Sequence, residues 1–90
     1  MYYCTVNVIE GKINHIYTMD KYYDECLRVA NMLRYNWMDV GFRVNGIWYK
    51  KQPGLQMVIS VDTDNEREVK DLVFAGKYII EQEYEYATVV

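Results

Sequence analysis

The sequence predicts an α+β domain: a mainly antiparallel sheet in the order ββα-βββ-α-β, with two helices packed on one face. Three observations predict it. Short runs alternating apolar and polar residues at period two recur along the 90-residue chain, as expected of strands with one buried face. Two other stretches take up the 3.6-residue period of an amphipathic helix. Turn-forming groups, Glu10-Gly11-Lys12, Asn45-Gly46 and Pro53-Gly54, stand between the runs, where glycine supplies positive φ and proline presets it. A chain of this length hides only about 60–65% of the surface it exposes when unfolded. Residues 1–90 are therefore expected to form one compact domain with a single core.

Residues 2–18 read as a hairpin. Tyr2, Cys4, Val6 and Val8 alternate with Tyr3, Thr5, Asn7 and Ile9, and the chain returns from Ile13 to Thr18. A two-residue loop would pair Val8 with Ile13 and Val6 with His15. A three-residue loop would put Ile16 on the Val6 face instead, and a slip of one residue turns every side chain over. A helix over 19–38 follows, with Thr18 or Asp20 as N-cap. At 100° per residue Met19, Tyr23, Cys26, Ala30, Leu33 and Trp37 fall on one arc, flanked by Tyr22, Leu27 and Val29. The opposite face carries Lys21, Asp24, Arg28 and Asn31, together with Met32 and Tyr35. An exposed Met and Tyr on a polar face read as a contact patch.

Gly41 opens a three-stranded meander near 41–44, 47–52 and 55–61. Asn45-Gly46 fits a type I′ hairpin, and Pro53-Gly54 the centre of a type II turn. Thr63 and Glu66 match a capping box for a second helix over 64–75. Val69, Leu72, Val73 and Ala75 form its apolar stripe, and Gly76 is placed just past its end. A strand from about Lys77 closes the chain, with a continued helix through 81–86 as the competing reading. In the strand reading Tyr78, Ile80, Gln82, Tyr84 and Tyr86 line one side, and Ile79, Glu81, Glu83 and Glu85 the other.

Composition excludes several classes. Hydrophobic residues make up 51% of the chain, too many for disorder, but no apolar run approaches the roughly 20 residues that span a bilayer. The opening Met-Tyr-Tyr-Cys-Thr-Val lacks the basic-then-apolar order of a signal peptide. A soluble, cytoplasmic protein is expected, in the host cytoplasm if phage-encoded, with no membrane partner. Cys4 and Cys26 fit no zinc spacing and are expected to be small buried hydrophobes. His15 is the only histidine. Asp62-x-Asp64-x-Glu66 resembles the opening of a calcium loop, but Arg67 and Val73 stand where that loop needs Gly and Glu. No cofactor, metal or catalytic residue is assigned, and no enzyme is expected.

Charge segregates along the chain. Residues 40–61 hold Arg43, Lys50 and Lys51 and no acid, whereas residues 62–90 hold eight acids against three bases, within a net charge of −3. The basic hairpin interleaves Arg43, Lys50 and Lys51 with Trp48 and Tyr49, the composition of a surface that stacks single-stranded bases. The acidic end sets Glu81, Glu83 and Glu85 against Tyr84 and Tyr86. Ten tyrosines exceed what so small a core can satisfy, and surface Tyr favours protein contacts. The expected function is a small, non-enzymatic protein-interaction module whose partner has a basic surface. In size and composition it is like the anti-CRISPR and other anti-defence inhibitors by which phages and mobile elements block host factors. The mechanism would be steric and electrostatic, through Glu81, Glu83, Glu85, Tyr84 and Tyr86, with Met32 and Tyr35 as a second contact. The alternative is a nucleic-acid or nucleotide-binding module using the 42–51 hairpin. A homodimer, basic meander against acidic strand, is a third arrangement.

Overall fold

The computed structural model describes residues 1–35, 42–44, 47–49 and 55–84, and side chains within 1–33 and 55–83. The elements follow the expected order: β1 (Tyr2–Ile9), β2 (Lys12–Asp20), α1 (Tyr23–Tyr35), β3 (Phe42–Val44), β4 (Ile47–Tyr49), β5 (Leu55–Val61), α2 (Glu66–Phe74) and β6 (Ile79–Tyr84). Four strands make one antiparallel sheet, ordered β2-β1-β5-β6, and β3 and β4 form a separate two-stranded hairpin. The α+β class holds. Among the described residues no helix is long and apolar enough to cross a membrane.

The three-stranded meander is not formed. β3 and β4 pair as expected around Asn45-Gly46, but β5 lies at the centre of the main sheet, bonded to β1 and β6. The reason is burial. Paired with β1, β5 buries every residue from Gln56 to Val61, which a strand at the end of a local hairpin does not.

The helices divide between the two faces of this sheet. β1 and β5 pair without a register break, so Cys4 and Val6 share a face with Ile59 and Met57, while Tyr3, Thr5 and Asn7 share the other with Ser60, Val58 and Gln56. Val69 and Val73 of α2 pack with Cys4, Val6 and Ile59. Cys26 and Ala30 of α1 pack with Val58 and Tyr3. A period-two strand read as half-buried is covered here on both sides, and its polar positions lie inside. Each is hydrogen-bonded: Thr5 Oγ1 donates to the Cys26 carbonyl at 2.7 Å, and Gln56 Nε2 to Asn7 Oδ1 at 3.0 Å.

The first hairpin has a two-residue loop. Glu10 and Gly11 take φ of 53° and 77°, the two positive values of a type I′ turn. Val8 therefore pairs with Ile13, yet Val6 pairs with Ile16, because Asn14 is inserted as a bulge between Asn7 and Val8. A second irregularity follows between Thr5 and Val6. The bulge offsets the short loop and keeps the apolar residues of β2 on the α2 side, with Ile13, Ile16 and Met19 in that cluster.

α1 begins four residues later than the sequence predicts, because Met19 pairs with Cys4 in β2 and the strand runs on to Asp20. Asp20 Oδ1 accepts from the Tyr22 backbone N–H at 2.7 Å and turns the chain. The predicted positions 36–38 lie outside the described residues. α2 also differs at its start. Asn65, not Thr63, is the N-cap and accepts from the Arg67 N–H at 3.1 Å. Thr63 Oγ1 accepts from the Asn65 N–H and donates to Glu68, so the Thr63–Glu66 box does not close. The far end matches expectation: Gly76 has φ of 79°, its N–H bonds Val73 O, and the Lys77 N–H bonds Leu72 O. This is a Schellman ending.

Candidate functional site

Three strand positions singled out from sequence, Glu81, Glu83 and Tyr84, lie in β6. Being the last strand of the sheet, β6 has β5 on one side and no further strand on the other among the described residues. Its exposed apolar residues are Ile79, at 65%, and Ile80, at 48%, and Glu81, Gln82 and Glu83 are exposed beside them. An edge strand is normally protected by charge. Here the charges follow two adjacent large apolar side chains that solvent reaches.

Glu81 and Glu83 do not share a face. β6 carries a bulge opposite Val58 and Ile59, at Glu81, so Ile80 pairs with Ile59 while Gln82 pairs with Val58 and Glu83 with Met57. Ile80 and Glu83, three residues apart, come to the α2 side. Glu81 turns to the α1 side, where it accepts from Ser60 Oγ at 2.7 Å. The predicted ribbon of three glutamates on one face is thus split, because one extra residue inverts the alternation. Tyr84 closes β6 opposite Gln56; Glu85 and Tyr86 lie outside the described residues.

On the α2 side the sheet outruns its helix. α2 has nine residues, roughly 14 Å at 1.5 Å per residue, against eight in β1, roughly 26 Å. The uncovered end is a groove of about 540 Å³ whose lining includes Val8, Leu55, Met57 and Ile80, with the exposed Glu10 and Glu83 beside them. No base lines it. Two neighbouring grooves, of about 410 and 420 Å³, each include a lysine, Lys70 and Lys12. Pattern reading missed this site because Val8 and Leu55 look like ordinary core positions. The signal available was the short apolar stripe of the second helix.

The other predicted surfaces fare differently. Met32 is half-buried against Tyr17, Val29 and Leu33, with the Arg28 guanidinium 4.0 Å from its sulfur. It is therefore a packing residue, not part of an exposed patch: β2 supplies Tyr17 to the side of α1 that the helical arc left polar. Tyr35 ends α1. In the basic hairpin, Arg43 pairs with Trp48 and Phe42 with Tyr49; Lys50 and Lys51 lie outside the described residues. No family model, curated protein or solved structure matches the chain.

Titratable groups elsewhere have structural partners. Cys4 and Cys26 are free and buried, in the clusters on opposite sides of the sheet. Burial pushes their thiols up to about 12 and about 11. Buried thiols of this kind are poor nucleophiles. Asp64 binds the Met1 ammonium at 2.6 Å, and this cation holds its carboxyl below the usual range. Arg28 does the same for Glu25. His15 is exposed and meets the Tyr17 ring edge-on at 4.8 Å. Among the described residues no three His, Cys, Asp or Glu side chains converge as a metal site requires.

Proposed function

We propose that the protein is a small non-enzymatic interaction module that binds a protein partner with a basic surface and blocks it sterically. The observation that carries this reading is β6, the last strand of the sheet among the described residues, where exposed Ile79 and Ile80 stand with exposed Glu81 and Glu83. Apolar area supplies affinity at such a surface, and the carboxylates select a cationic partner and speed its approach. Short length, acidity and many tyrosines suit an inhibitor of the phage or mobile-element kind, acting on a host defence factor. The reading also assigns Glu85, Tyr84 and Tyr86 to the contact.

The test is affinity capture from bacterial lysate, with and without nuclease, comparing the native chain with the triple variant E81K/E83K/E85K. A partner that survives nuclease and is lost by the variant is expected. Retention by the triple variant refutes the electrostatic mechanism. A second reading, a nucleic-acid module at the 42–51 hairpin, draws on the pairing of Arg43 with Trp48 across a two-residue loop. It requires salt-sensitive binding that Trp48→Ala weakens.

A further inference from the structure

We infer that the groove beside β6 receives an extended segment of the partner, added as a further strand along β6, with an Arg or Lys side chain directed to Glu83. The inference rests on the reading of β6 as the partner-binding edge and specifies what that edge recognises. Among the described residues no strand pairs with the outer side of β6, and main-chain groups on such a side are the usual basis of strand addition. Side-chain selection comes from the groove. Because of the bulge at Glu81, Ile80 and Glu83 face the same side of the sheet. A strand laid against them therefore meets one apolar and one anionic position on that face. Met57 is paired with Glu83, and Leu55 and Val8 continue the apolar surface towards Glu10.

Charge decides between occupants. A purely apolar segment would leave Glu83 beside it without a counter-charge among the described residues. An acidic segment would set like charges opposite one another, which is destabilising. A basic residue satisfies this edge: its aliphatic stem lies along Ile80, and its charged head reaches Glu83. The groove that adjoins it through Gly11 and Tyr78 carries Lys12, so a cation is favoured here over there.

The test is amide-resolved NMR titration of the full isotope-labelled chain with three blocked peptides. One alternates Thr with Ile and Arg, the second has Glu for Arg, and the third has Pro for every other Thr. The Arg peptide is expected to shift the amides of 79–84 together with those of Val8, Leu55 and Met57. The Glu and Pro peptides are expected to bind about tenfold more weakly or worse, and E83K to cost the Arg peptide about tenfold in affinity. Equal binding of the Arg and Glu peptides, shifts confined elsewhere, or an indifferent E83K whose spectrum shows it folded would overturn the inference. A dimer that excludes the Arg peptide would assign the groove to a second copy and also overturn it. If E81K/E83K/E85K abolishes partner capture while the Arg peptide leaves β6 unmoved, the general reading stands and this one falls.

Discussion

The hydrogen-bonded row beneath α1 gives a sharp test of the two-sided burial. Asn7 is 0% exposed and Gln56 1%. Asn7 Oδ1 accepts from Gln56 Nε2 at 3.0 Å, and Asn7 Nδ2 donates to Asn14 Oδ1 at 2.8 Å. Replacing Asn7 by Val removes both bonds. Asn14 is exposed and recovers water, so its loss is small. Gln56 is buried and cannot, and leaving its amide unsatisfied costs about 1–3 kcal/mol. Val is the better strand residue, which makes the observed loss a lower bound on the polar term. A domain of 90 residues has a total stability of roughly 5–13 kcal/mol, so the change is readable by urea unfolding followed by far-UV circular dichroism. The melting temperature should fall by about 4–8 °C for each kcal/mol. The decisive variant is the double, Asn7→Val with Gln56→Leu. Removing both partners together should cost at least about 1 kcal/mol less than the two single losses added. A neutral Asn7→Val, or additivity within about 0.5 kcal/mol, would refute the claim that this face of β1 and β5 is buried and coupled.

Two further outcomes follow from the described contacts. Cys4 and Cys26 hold their protons more tightly folded than unfolded. Their contribution to stability is therefore complete below their ordinary pKa of 9.0 and is lost as pH rises towards about 11 and about 12. Urea midpoints should fall more steeply with pH above 9 in the native chain than in Cys4→Ala and Cys26→Ala; parallel slopes would show the thiols are not linked to folding. Fast labelling of the native protein by a thiol reagent at pH 8 would likewise contradict their burial. At the end of α2, Gly76→Ala forces an L-residue to φ of 79° with nothing within 4 Å of the new methyl. The cost is purely conformational, about 1–2 kcal/mol, and Gly76→Asn should cost less; equal losses in the two variants, measured by thermal melting, would argue against the left-handed ending.

Local chemistry sufficed for the features that depend on a few neighbouring residues. The order of strands and helices, the turn at Glu10-Gly11, the hairpin at Asn45-Gly46 and the left-handed ending at Gly76 are all written in short stretches. Steric preference and hydrogen bonding within four or five residues decide them, whatever the rest of the chain does. The alternation of β6 alone sets Ile80 and Glu83 on opposite sides, and only the bulge at Glu81 brings them to one face. Tertiary structure decided everything that depends on which face is covered. Leu55–Val61 could pair next to β4 or between β1 and β6, and the larger burial of the second arrangement prevailed. Met32 became a packing residue because β2 brings Tyr17 to it, and Asn7 and Gln56 became interior because the α1 side of β1 and β5 is buried too. The bulges at Asn14 and Glu81 each insert a single residue that no pattern announces, and each inverts the alternation beyond it. For that reason Glu81 and Glu83 part company, and the groove joining Val8, Leu55, Met57 and Ile80 exists only where a short helix leaves a longer sheet uncovered.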